Sequence, residues 1–77
     1  MPNAKITGNI VGKKIKIARE KLGLGQVEVS AALEVDYKIY LSQRLISEIE
    51  NERRPVRDKE LYAIAKILNT DPNWLLS

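Results

Sequence analysis

The sequence predicts an all-helical fold. Apolar residues recur three or four apart in successive segments, and residues suited to starting or stopping helices stand between those segments. The one stretch with strand-like alternation, Tyr37 to Leu41, has no second strand with which to pair. At 77 residues there is room for one domain with one small core.

Met1 to Gly8 lacks periodicity and is expected to be a flexible arm, with the domain itself spanning 9–77. Its single lysine suits it poorly for wrapping DNA. Asn9 is placed to cap a first helix over roughly 10–22, in which Val11, Ile15, Ala18 and Leu22 make an apolar stripe and Gly23 marks the stop. A second helix of about ten residues is opened by Gln26 and carries Val27, Val29, Ala31, Ala32, Leu33 and Val35. Tyr37 to Leu41 reads either as an enlarged turn or as a prolonged end of the second helix, with Ile39 and Leu41 turned to the core.

The third helix is expected over about 42–51, followed by a basic loop from Glu52 to Arg57 in which Pro55 holds Arg54 extended. Asp58 is expected to cap a fourth helix striped by Leu61, Ile64, Ala65 and Leu68. Asn69 suits a left-handed stop, and Asp71-Pro72 a capped start for a last turn, Asn73 to Leu76, which carries the only tryptophan. That makes five helices.

Composition narrows the function. With no cysteine there is no disulfide and no thiolate metal site, and without histidine the commonest general base and metal ligand is missing. An enzyme, a metal site and a cofactor are therefore not expected. No apolar run approaches a membrane span, and the amino terminus does not read as a signal peptide, so an intracellular, soluble protein is expected. The net charge of +3 and pI near 9.3 permit a nucleic-acid partner without demanding one. Charge is sorted along the chain: cations dominate residues 1–25 and 53–59, whereas residues 26–36 are acidic, with Glu28, Glu34 and Asp36.

The stretch S-Q-R-L-I-S-E-I-E-N at 42–51 carries the sharpest signal. Gln43, Arg44, Ser47, Glu48 and Asn51 fall on one helical face, and Ile46 and Ile49 on the other. A short helix with a row of donors and acceptors is what reading base edges in the major groove requires, although a merely solvated face has the same pattern. Tyr37, Tyr40 and Tyr62 are too scattered to suggest stacking on single strands.

From Val11 to Leu76 the chain resembles the lambda-repressor/Cro-like (XRE-type) helix-turn-helix domains. The resemblance is carried by V-G-K-K-I-K-I-A-R-E-K-L-G-L at 11–24, Gln26, I-S-E-I-E-N at 46–51, A-I-A-K-I-L at 63–68 and W-L-L at 74–76. It implies a compact five-helix domain whose helices 2 and 3 form the motif, with helix 3 in the major groove. It carries base reading onto Gln43, Arg44, Ser47 and Glu48, and phosphate contacts onto Gln26, Asn51, Arg53 and Arg54. Arg19 and Glu50, which border the inward faces of their helices, match a partly buried structural ion pair.

The chain departs from the pattern in four places. About six residues are inserted at 36–41, which is expected to leave the angle between helices 2 and 3 intact. Glu52 stands where the family has glycine, Gly25 where it has a hydroxyl or amide cap, and Glu48 where a cation is frequent. The implied protein is a cytoplasmic bacterial or phage transcriptional regulator, a repressor binding a palindromic operator in double-stranded DNA as a homodimer. The alternative is an antitoxin-type protein-interaction module that also binds DNA, for which a dedicated toxin-binding tail would be expected.

Overall fold

The computed structural model describes the backbone of residues 3–77 and the side chains of residues 11–77. Among these residues there are five helices and no strand: α1 (Asn3–Lys21), α2 (Gln26–Tyr37), α3 (Gln43–Glu50), α4 (Asp58–Ile67) and α5 (Pro72–Leu76). The radius of gyration, 11.0 Å, is close to the ~11.5 Å of a compact domain of this length. Helix α1 packs on α3 and α5, and α2 on α3 and α4. One core results, contributed by Val11 and Ile15 of α1, Val29 and Leu33 of α2, Ile46 and Ile49 of α3, Leu61 and Ile64 of α4, and Leu75 of α5.

Several expectations need correction. Helix α1 begins at Asn3 rather than near residue 10, so Asn9 lies inside the helix and is not its N-cap. Propagating a helix past its apolar stripe costs little, because each added residue brings a backbone hydrogen bond. Periodicity therefore marks where a helix is buried and not where it starts. Met1 and Pro2 of the expected arm lie outside the described residues. Leu22 falls beyond the end of α1 and is 48% exposed. In α2 only Val29 and Leu33 are buried, while Val27 and Val35 face solvent. Val56 of the loop joins the core, which its position beside Pro55 did not foretell.

Helix α4 is capped differently from the expectation as well. Arg57 is the N-cap, and Asp58 occupies the first helical position, where its charge suits the positive end of the helix. The Glu60 carboxylate accepts the Arg57 backbone N–H at 3.1 Å. At α5 the expected start is present: Asp71 accepts the Asn73 N–H at 2.8 Å, and Pro72 opens the helix.

The helix stops follow one design. Gly23, Lys38, Glu52 and Asn69 all have positive φ, and each follows one of the first four helices. After α1, α3 and α4 the next N–H reaches back five residues, from Leu24 to the Arg19 carbonyl, Arg53 to Glu48 and Thr70 to Ala65. These bonds satisfy carbonyls that a helix end leaves free. Glycine and asparagine tolerate the left-handed region, whereas Lys38 and Glu52 adopt it at a cost of about 1 kcal/mol each.

Gly12 sets how close α1 lies to α3. A Cβ at Gly12 would collide with the Ile49 carbonyl oxygen and lie 3.2 Å from that of Glu50. Only glycine lets α1 cross the end of α3 at this separation. Helix α3 is thus seated directly on the α1 backbone.

Candidate nucleic-acid interface

Helix α3 is positioned from both ends. At its start, Ser42 accepts the Leu45 N–H at 3.3 Å as N-cap. The preceding turn is tied to α2 by the Ser30 hydroxyl, which donates to the Leu41 carbonyl at 2.5 Å, and by the buried Leu41 side chain. The segment between α2 and α3 is therefore an enlarged turn and not a continuation of α2, whose last helical residue is Tyr37. At its far end, α3 rests on Gly12 and stops at Asn51.

Behind the helix, Arg19 and Glu50 meet in a bidentate pair, with Nε to Oε2 at 2.7 Å and Nη2 to Oε1 at 2.9 Å. The Arg19 Nη1 also donates to the Leu24 carbonyl at 2.8 Å, so the guanidinium ties α1 to both α3 and the first turn of the motif. The hydrogen bonds from Arg19 to Glu50 raise the guanidinium pKa, burial acts against them, and the Glu50 charge adds to the rise. The network continues outward. Gln26 Nε2 donates to Glu50 Oε1 at 3.0 Å, and Gln43 Nε2 approaches Gln26 Oε1 at 3.4 Å, a long bond. A chain of polar contacts thus leads from the core to the first residue of α3.

On the outer face, Gln43 and Arg44 are exposed and Ser47 and Glu48 are half-buried, while Ile46 and Ile49 are each 1% exposed beneath them. Arg44 Nε lies 3.3 Å from Glu48 Oε2, four residues on, with the arginine side chain 86% exposed. Such a pair in open water is worth little and exchanges easily. Asn51 turns its amide back onto α3, donating to the Ser47 carbonyl at 2.9 Å and to its hydroxyl at 3.3 Å.

The loop after α3 divides its two leading cations. Arg53 is exposed and takes part in no ion pair among the described residues. Arg54 forms a second bidentate pair, with Nη1 and Nη2 at 3.0 and 3.2 Å from the Glu60 oxygens, and donates to the Pro55 carbonyl at 3.2 Å. Sequence reasoning missed Glu60. Its only signal was its place three residues after the N-cap, where a carboxylate can reach back to the cap N–H. Lys14, half-buried on α1, donates to the Trp74 carbonyl at 2.9 Å and lies 5.1 Å from the centre of the Trp74 ring. It secures α5 to α1.

The described residues contain no group of three or more carboxylates, histidines or cysteines that could hold a metal ion, and no helix long and apolar enough to cross a membrane. The family described as a helix-turn-helix domain matches residues 12–77. No curated protein and no solved structure matches the chain. The chain belongs to this helix-turn-helix family, of the lambda-repressor-like type, whose members bind DNA.

Proposed function

We propose that this helix-turn-helix domain is a cytoplasmic transcriptional repressor that binds a palindromic operator as a homodimer, with α3 in the major groove. The observation that carries the reading is the two-sided character of α3. Gln43, Arg44, Ser47 and Glu48 are offered outward, while Ile46, Ile49 and the Glu50 pair hold the helix from behind. Arg44 reads a guanine after exchanging its exposed contact with Glu48, which then accepts from a cytosine amino group. Gln43 and Ser47 supply the remaining donors and acceptors to base edges.

Anchoring falls to neighbouring groups. Gln26 opens α2, where backbone N–H groups lack helical partners and suit a phosphate, while its side chain stays in the Glu50 network. Arg53 supplies the exposed loop cation, Asn51 a side-chain donor that is released from Ser47, and Arg54 holds the loop in shape through Glu60. Residues 9–77 form the working unit, with 3–8 as the amino-terminal extension of α1. Two copies place their α3 helices about 34 Å apart along the duplex.

Selection from a random duplex pool tests this. The retained sequences are expected to contain an inverted repeat, with affinity falling steeply between low and moderate salt as counterions are released. Arg44→Ala should relax preference at one base pair per half-site, whereas Arg53→Ala should weaken all sequences alike. Failure to retain any duplex at low salt would sink the reading.

A further inference from the structure

The enlarged turn between α2 and α3 alternates in exposure. Lys38, Tyr40 and Ser42 face outward, whereas Ile39 is half-buried and Leu41 is 4% exposed. Lys38 is left-handed and Ser42 extended, and with Tyr40 between them they make a row of exposed positions along the chain that runs directly into Gln43. The backbone of this row is held at three points: the left-handed stop at Lys38, the Ser30 bond to the Leu41 carbonyl, and the Ser42 cap. Tyr40, 69% exposed, therefore stands on a fixed support next to the reading helix.

Ser42 caps α3, but neither the Lys38 ammonium nor the Tyr40 hydroxyl is used by the fold among the described residues. Lys38 enters no ion pair among the described residues, and the Tyr40 hydroxyl no hydrogen bond. Lys38 also occupies a left-handed position, φ 58°, where glycine would be less strained. A strained backbone position that keeps a bulky cation is a reason to ask what the cation does.

We propose that this row is a second DNA-contacting element, in which the Tyr40 hydroxyl donates a hydrogen bond to one backbone phosphate and the Lys38 ammonium pairs with another. The inference rests on the α3 reading above, since a duplex seated on α3 is what brings a strand to the turn. Lysine and tyrosine are both suited to phosphate oxygens, and such contacts fix register without reading bases. Residues upstream of the first α3 position lie outside the groove floor, over the sugar-phosphate backbone. The inserted residues thus widen the anchored footprint.

The test uses the full chain and a duplex selected by it, with thermal melts alongside. Lys38→Gly is expected to raise Tm, because it relieves the left-handed strain, and yet to weaken binding about three- to tenfold and reduce the salt slope by about one. Tyr40→Phe should leave Tm and the salt slope in place while weakening binding about three- to tenfold, equally for duplexes of different sequence. Tyr62→Phe, an exposed tyrosine on α4, is the unchanged control. If the parent binds but either Lys38→Gly or Tyr40→Phe matches its affinity, the inference fails alone. A shift in preferred bases for Tyr40→Phe also overturns it, since a phosphate contact carries no base preference. A parent that binds no duplex defeats the α3 reading and this inference together.

Discussion

Two bidentate arginine–glutamate pairs hold this domain, and they differ in what they join. Arg19 and Glu50 lie 31 residues apart and bridge α1 to α3, with side chains 10% and 2% exposed. Arg54 and Glu60 lie six residues apart, close the loop between α3 and α4, and are 20% and 11% exposed. The first pair fixes α3 against its scaffold. The second shapes the loop that carries Arg53. Removing a partner from a buried pair strands a charge away from water, so the cost scales with burial and with the bonds left to the survivor. The comparison therefore predicts an order of effects as well as their sizes.

The largest effect is expected at Arg19. Arg19→Ala strands the Glu50 carboxylate, 2% exposed in the parent, with Gln26 its one remaining side-chain donor among the described residues, and should cost about 3–4 kcal/mol in urea unfolding. Against a total of about 4–12 kcal/mol for a domain of this size, much of the protein would then unfold. Glu50→Ala should cost less, because Arg19 keeps its bond to the Leu24 carbonyl. Small losses at both positions, adding independently in the double variant, would mean that the pair does not couple α1 to α3.

The loop pair should respond more weakly and with a pH signature. Glu60→Ala is expected to cost about 2 kcal/mol, since it loses both the Arg54 pair and the cap on the Arg57 N–H, and Arg54→Ala about 1 kcal/mol. Burial opposes ionisation of Glu60, but the hydrogen bonds from Arg54 and the Arg57 N–H, together with both charges, outweigh it and hold the carboxyl below its ordinary range. A carboxyl depressed in the folded state contributes stability that is present above its unfolded pKa, about 4.3, and lost as pH falls through the folded one. Melts of the parent and Glu60→Gln from neutral pH into acid should converge at the acid end. Parallel curves would show that the pair adds nothing dependent on the charge of Glu60.

The contrast between the pairs also explains what the sequence could and could not disclose. Arg19 and Glu50 were legible because helical spacing places each at the edge of an apolar stripe, and the motif at 46–51 orients α3. The outward face of α3, the stop at Asn69 and the start at Asp71-Pro72 were legible for the same reason: each is a local rule acting within one turn. Glu60 was not, because its partner lies across a proline-bent loop whose path no periodicity specifies. Gly12 escaped notice too, since a glycine inside a helical pattern gives no sign of the backbone that will lie against it. The swing of Lys14 onto α5 likewise depends on tertiary packing alone.

The smallest expected effect runs the other way and concerns the boundary between the two regions. Glu52 closes α3 with φ 63°, a conformation that a side chain with a Cβ adopts at about 1 kcal/mol relative to glycine. Its helix-stop bonds are backbone bonds, from the Glu52 N–H to Ile49 and from the Arg53 N–H to Glu48, and survive substitution. Glu52→Gly should therefore stabilise the domain by up to about 0.6 kcal/mol once the greater freedom of glycine in the unfolded chain is allowed for. That amounts to a rise in Tm of up to about 5 °C. Asn69→Gly, at an equivalent stop, should gain less, because asparagine already tolerates the left-handed region. A fall in Tm for Glu52→Gly would mean that the half-buried Glu52 side chain makes contacts worth more than the strain of its backbone, and that the loop carrying Arg53 is held by Glu52 as well as by the Arg54–Glu60 pair.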